Sequence, residues 1–322
     1  MESVLKLFSP PPPFEPPTIP YQLIFSPLVL LTQTLHSILL RARGSPFSPP
    51  PIHSRIRLVC ISDTHTQEPT SAIPSGDVLI HAGDMGNVGN AEEIQKQIDW
   101  LNSLPHPYKL VVAGNHDTFL DPRSRYKGDE GKSVDWAEIK YLQHSSTTIT
   151  FPDHSNRKLT FYGAPQIPAC GGPDFAFQYK RGEDAWTETI PKDTDVLVTH
   201  TPPKFHMDLD GLGCEFLLSE VWRVKPQVHV FGHVHCGYGR ENIFWDEGQK
   251  AYEEICNGGR GLTALFSIHN WLNVLRVVMF GLVGVIWTRL WGGGEEGTIM
   301  MNVAMMYRNT GKVLNTPQVI DI

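Results

Sequence analysis

Five short apolar runs, residues 58–61, 78–80, 110–112, 196–198 and 228–231, punctuate the chain, each built largely from Val, Leu and Ile. Short apolar runs of this kind read as buried strands. Between them the apolar period lengthens. Asn90 with Glu93 forms a capping-box pattern, and Ile94, Ile98, Leu101 and Leu104 predict one helical stripe that Pro105 stops. Residues 134–143 and 215–224 predict two more helices, and residues 147–151 and 158–162 a hairpin about the turn at 153–156. This alternation over residues 57–257 predicts an α/β fold.

Two apolar stretches break that rhythm. The first, 21–40, lies between prolines at 10–13, 16, 17 and 20 and at 46 and 49–51, which mark extended linkers. Ser26-Pro27 resembles a helix start; Leu28, Leu31, Leu35 and Ile38 share one face, Thr32, Gln33, His36 and Ser37 dilute the rest, and Arg41 and Arg43 close the segment. It lacks the basic leader and cleavage site of a signal peptide, which leaves an interfacial membrane helix or a helix packed on the domain. In the second, 268–291, the unbroken core 277–288 between Arg276 and Arg289 would be about 18 Å long as a helix, against about 30 Å for a hydrocarbon core. Trp271, Trp287 and Trp291 suit a membrane interface; a buried core helix is the alternative. Gly292–Gly294 breaks the chain after it.

With 322 residues, 41% of them hydrophobic, the chain can form one large α/β domain with appendages. A net charge of −7 without a basic stripe argues against nucleic acid as the main partner. The five cysteines (60, 170, 214, 236 and 256) lack paired spacing and suit reduced thiols in an intracellular, cytoplasmic protein, possible membrane contact being peripheral. Cys236 reads as a bystander.

The chemistry follows the strands. Asp63-Thr64-His65, Gly83-Asp84, Gly114-Asn115-His116-Asp117, Thr199-His200 and Gly232-His233-Val234-His235 each follow one of the five runs. The carboxyl ends of neighbouring strands converge on one crevice. Such oxygens and imidazoles suit hard or borderline divalent metals. Asp63 and His65 can face one ion, Asp84 can bridge two, and Asn115, His200, His233 and His235 complete seven ligands. A water shared by both ions, its pKa lowered towards neutrality, is the expected nucleophile. His116 is left to protonate the leaving oxygen or to stabilise the phosphoryl group, with Asp117 orienting it. His81, His106, His144, His206 and His229 lie outside the boxes and read as structural.

The order D-x-H, GD, GNHD, TH, GHxH resembles the calcineurin-like metallophosphoesterases over residues 56–257 and again from about 301 to 322. The wording of residues 60–65, 77–83 and 232–239 is closest to the metallophosphoesterase-domain-containing group, whose final strand residues 315–322 resemble. The resemblance implies an αββα four-layer sandwich of two mixed β-sheets and two divalent ions drawn from Mn, Fe, Zn or Mg, with Mn favoured. Asp63, His65, Asp84 and His235 would serve one ion; Asp84, Asn115, His200 and His233 the other. Some members of the group with glycine in place of His233 are poor catalysts, so the histidine here points to a working enzyme. The expected domains are a Pro-rich region 1–55 with an apolar helix at 21–43, a catalytic core 56–263, an apolar insertion 264–298 and core-completing strands 299–322. The expected function is hydrolysis of a small phosphomonoester or phosphodiester. The alternatives are a catalytically weak, membrane-associated nucleotide-binding protein and a Ser/Thr protein phosphatase. The strand shared with the C-terminus excludes a single membrane crossing by 268–291, so any membrane contact, through 21–43 and 268–291, would be interfacial.

Overall fold

A computed structural model describes residues 7–12, 14–48, 50–209, 211–292 and 296–322. Of the linker residues named above, Pro13, Pro49, Gly293 and Gly294 lie outside the described residues. The strands are β1 (Arg57–Ile61), β2 (Val78–Ala82), β3 (Tyr108–Val112), β4 (Lys140–Tyr141), β5 (Ser145–Phe151), β6 (Arg157–Ala164), β7 (Ile167–Pro168), β8 (Gln178–Tyr179), β9 (Val196–Thr199), β10 (Val228–Phe231), β11 (Gly239–Phe244), β12 (Gly297–Asn302) and β13 (Gln318–Asp321). The α-helices are α1 (Ile19–Phe25), α2 (Pro27–Arg43), α3 (Ala91–Ser103), α4 (Glu215–Val224), α5 (Glu247–Gly258) and α6 (Ile268–Leu290). The chain divides into two compact units, Pro49–Arg240 with Met300–Ile322, and Met1–Ser48 with Glu241–Ile299.

The larger unit carries the strands that end in the five boxes. One mixed sheet runs β13-β1-β2-β3-β4, the other β11-β12-β10-β9-β6-β5. In the first, β1, β2 and β3 are parallel and β13 is antiparallel to β1. In the second, β6, β9 and β10 are parallel. The continuous Val, Leu and Ile runs of β1–β3 are buried almost throughout, as parallel strands covered on both faces must be. The α3 stripe of Ile94, Ile98 and Leu101 packs on Val59, Ile61, Leu79 and Val111 of the first sheet. Each such side chain removed from water contributes about 1.5–3 kcal/mol. This is the α/β, αββα arrangement of two mixed sheets that the motif order implies. The hairpin is present, with Ser155 and Asn156 taking the left-handed conformation in its turn.

Residues 134–143 correct the expectation of a helix. They form a turn followed by β4, which adds to β3 in parallel. Ala137 sits at φ +47°, off the right-handed helical path, while Trp136 stacks on Tyr141 at 4.6 Å and both pack against the α3 core. Burial of two aromatic rings here outweighs helix propensity.

In the smaller unit the expected helix over 21–43 is two helices, α1 and α2, bent by 119°. Pro27 disfavours helical geometry at the residue before it, and Ser26 lies at φ −152°, ψ 47°. The burial of α2 also differs from its apolar stripe. Leu28, Val29, Thr32, His36 and Arg43 are buried, whereas Leu31 and Ile38 are exposed. Among the described residues, α6 is the one helix long and apolar enough to cross a membrane by length and composition. It is not a wholly buried core helix, since 22% of its most apolar window is buried.

The two sheets of the larger unit approach each other at Gly163, on β6. A methyl group there would collide with the Leu142 Cβ and come within 2.8 Å of the Val112 side chain, at the end of β3 just before the Gly114-Asn115-His116-Asp117 box. Gly163→Ala is therefore expected to destabilise the fold by about 1–3 kcal/mol through overpacking, read as a lower urea midpoint with an unchanged m-value.

Candidate metal centre

The parallel strands β1, β2 and β3 deliver Asp63, His65, Asp84, Asn115 and His116 from one sheet, and β9 and β10 deliver His200, His233 and His235 from the other. The donor atoms form overlapping groups, each with its ligand atoms within 4.8 Å of one another: Asp63 with His65 and His235; His65 with Asp84 and His116; Asp84 with His200 and His233. Asp84 belongs to two of them, as a bridging carboxylate would. Asn115 joins through Oδ1, 3.0 Å from His200 Nε2. All seven expected ligands thus meet in one place. Asp63, Asp84 and His200 are essentially excluded from solvent. No group that could hold a metal among the described residues includes Cys236.

The backbone is bent to reach this point. Asp63, His65, Asp84 and His233 all lie at positive φ, between 45° and 66°. Non-glycine residues in that region carry strain on the order of 1–3 kcal/mol each and persist only where surrounding contacts hold them. The contacts are present: Asp63 N–H donates to Gly83 O and His65 N–H to Asp84 O, at 2.9 and 3.1 Å. Gly232 is required by close approach, since a side chain there would collide with Ser62 and the Asp63 carboxylate. The His233 N–H donates to that carboxylate at 3.0 Å, and the His116 N–H donates to Asp84 Oδ1 at 2.8 Å.

The second nitrogen of each ring decides what the centre accepts. Nδ1 of His65, His200 and His235 lies 3.2, 2.9 and 3.1 Å from the carbonyl oxygens of Gly86, Ala82 and Arg308. A carbonyl only accepts, so each Nδ1 carries a proton, and in the neutral ring that ligates a metal each Nε2 turns a lone pair inward. Those lone pairs confront one another and the amide and carboxylate oxygens: His65 Nε2 is 3.3 Å from His235 Nε2, and His235 Nε2 is 3.2 Å from Asp63 Oδ1. Acceptors at such distances repel unless a cation lies among them. The donor set therefore fits divalent metal ions.

The ionisation of the cluster expresses the same demand. Burial opposes charge on Asp63 and Asp84, yet His235 and His200 hold the two carboxyls below the usual carboxylate range. Burial likewise opposes charge on His200, but Asp84 and then Asp63 raise it to about 9, so that without a metal its Nε2 holds a proton that ligation would displace. His233 is lowered to about 3 by burial and by His200, which keeps its ring neutral for ligation.

Two expectations change. Asp117 does not orient the His116 ring. Its carboxylate accepts the backbone N–H groups of Asp84, Gly86 and Gly114 at 3.0, 3.0 and 2.8 Å, joining the loops after β2 and β3. Burial and the neighbouring Asp84 push it up to about 7. His116 is instead held by the carbonyl of Asn87, 2.7 Å from Nδ1. The capping box is only half formed. Asn90 accepts from Glu93 N–H, but the Glu93 carboxylate takes the N–H groups of Asn87, Val88 and Gly89 and so shapes the loop that anchors His116.

The sequence reading missed Asn87, Arg308 and Phe175, whose ring lies 4.8 Å from that of His116. The first two act through backbone carbonyls, which no residue type signals. The histidines outside the boxes have structural partners where their bonds are resolved. His81 bonds Thr64, His106 lies against Pro74 O, and His229 bonds Thr199.

Carboxylates and imidazoles gathered at the strand ends of two sheets form groups that could hold divalent cations, as in the metallophosphoesterases. Residues 56–237 match the model of the calcineurin-like phosphoesterases, and the chain belongs to that family. It is 37% identical over 210 residues to metallophosphoesterase domain-containing protein 1 of Homo sapiens, covering 57% of this chain and 61% of that protein. It is 47% identical over 206 residues to the probable rhamnogalacturonate lyase C of Emericella nidulans, covering 63% of this chain but 19% of that protein.

Asp117→Asn would place an amide N–H against backbone N–H donors. It is expected to cost about 1–3 kcal/mol in urea denaturation and to weaken metal binding about 10–100-fold in calorimetric titration, through loss of loop positioning.

Proposed function

We propose that this chain is a metal-dependent phosphoesterase with a dinuclear centre, acting on a small phosphodiester or nucleotide. The inward convergence of Nε2 lone pairs with the Asp63, Asp84 and Asn115 oxygens carries the reading. Asp63, His65, Asp84 and His235 would hold one ion, and Asp84, Asn115, His200 and His233 the other. Manganese is the favoured metal for this mixed oxygen and imidazole set. When bound, such ions supply Lewis-acid activation of water and neutralise charge on the phosphoryl oxygens.

The chain's own residues supply the rest. Asn87 O accepts from His116 Nδ1, which leaves Nε2 as the atom that takes up a proton from solvent and, in the imidazolium form, gives it to the leaving oxygen. Its ring lies in the same cluster as His65 and Asp84, at the reacting edge. The half-buried Phe175 ring beside His116 offers a flat apolar surface to an aromatic or nucleoside leaving group. His233, neutral and aimed with Asp84 and His200, supports turnover rather than binding alone. No disulfide joins the cysteines, which supports an intracellular setting.

With bis(p-nitrophenyl) phosphate as substrate and Mn, Mg, Zn or Fe supplied singly, Asp84→Asn is expected to abolish both metal retention and hydrolysis. Wild-type turnover in this variant would remove the proposed site. His116→Gln is expected to keep the metal content while kcat falls about 10²–10⁴-fold, and more for poor leaving groups. An unchanged kcat would remove His116 as the acid.

A further inference from the structure

The smaller unit turns its helices inside out. On α6 the buried positions include Asn270, Asn273 and Gly284. Asn270 donates to Ala264 O at 3.2 Å, Asn273 to Glu254 of α5 at 2.8 Å, and Arg276 to Glu247 of α5 at 2.5 Å. On α2 the buried positions are Leu28 and Val29 in the first turn and then the polar Thr32, His36 and Arg43, the last paired with Asp246 at 2.6 Å. The outward face of α6 is Leu272, Leu275, Met279, Leu282, Ile286 and Leu290, each between 41% and 76% exposed. Their spacing of three and four residues keeps them on one side along the whole helix. A helix against water has the opposite arrangement.

The same elements are one-sided in charge. Residues 16–48 and 259–292 contain five arginines and no acidic residue. Acids of the 246–254 segment take up Arg43 and Arg276. Arg41 and Arg289 remain exposed at the C-terminal ends of α2 and α6, brought together by the Arg289 bond to Ala42 O. Trp271 stands exposed towards one end of the α6 face, with Trp287 and Trp291 at the other. Tryptophan and arginine at the margins of an apolar face match the interfacial zone of an anionic bilayer.

Topology then fixes how such a face can engage lipid. At 23 residues α6 is about 35 Å long, enough to cross a bilayer. The chain enters this segment from β11 and returns to β12, its neighbour in the same sheet. A crossing by α6 would force α5 to cross back, although α5 has 12 residues and carries Glu247, Lys250, Glu253 and Glu254. It is too short and too charged.

We propose that the outward face of α6, with the arginine-tipped end of α2, docks this protein in the plane of an anionic membrane surface, entering one leaflet without spanning it. The proposal is independent of the catalytic reading. Its test is flotation of the full chain with phosphatidylcholine vesicles, with and without phosphatidylserine. The wild type is expected to float with the anionic vesicles and to be released by alkaline carbonate. Leu275→Glu with Leu282→Glu, both at exposed positions, is expected to reduce binding tenfold or more, with circular dichroism and metal content unchanged. Arg41→Gln with Arg289→Gln is expected to remove about ten- to thirtyfold of the phosphatidylserine-dependent part, and serves should the glutamate pair fail to fold. A wild type that does not float, variants that bind as the wild type does, or resistance to carbonate would each overturn the proposal. So would a wild-type dimer that ignores vesicles and is dissolved by the same glutamate pair, since the face would then bind a second copy.

Discussion

The centre rests on one constraint: backbone carbonyls hold the outer nitrogens of its imidazoles. The carbonyls of Ala82, Gly86 and Arg308 dictate which nitrogen of His200, His65 and His235 carries the proton, and so where each lone pair points. The first of these carbonyls ends β2 and the second lies in the loop that follows it, so the sheet that supplies Asp84 also orients imidazoles that face it. Strand order, positive φ values and the glycine at 232 all serve to bring acceptors within reach of one another. Such an arrangement is unfavourable until positive charge enters it. Rigid pre-organisation of this kind separates a binding centre from a chance group of histidines.

A second layer links the centre to ordinary secondary structure. The first turn of α3 ends a loop whose N–H groups are gathered by Glu93, and a carbonyl of that loop holds His116. Asp117 fastens the same loop to the one after β3. His116 is therefore positioned by a helix terminus, its Nδ1 held by the loop that leads into α3.

Much of this was legible in the chain, for identifiable reasons. A ligand after a strand announces itself because residue type and position along the strand are both local, so Asp63, Asp84, Asn115, His200 and His235 could be read together. Contacts made by backbone atoms were not legible, which is why Asn87 and Arg308 went unseen and Asp117 was assigned to a ring it does not touch. Residues 134–143 looked helical because the stacking of Trp136 on Tyr141 depends on α3, far from it in sequence. For α2, periodicity showed which residues share a face but not which face turns inward. Beyond Leu28 and Val29, polar side chains turned in because Asp246 and Tyr252 lie there to meet Arg43 and His36.

The Arg308 carbonyl has a consequence in time as well as in space. His235 finds its partner 73 positions further along, and Arg57 meets Asp321 at a separation of 264. Contacts this remote form late, after the loops that precede them have closed. During synthesis the carbonyls that hold the rings of His65 and His200 are both made before His200 itself, whereas the ring of His235 must wait for Arg308. The centre thus passes from a loose gathering of side chains to a fixed cage only when the last stretch of chain is laid beside the first strand.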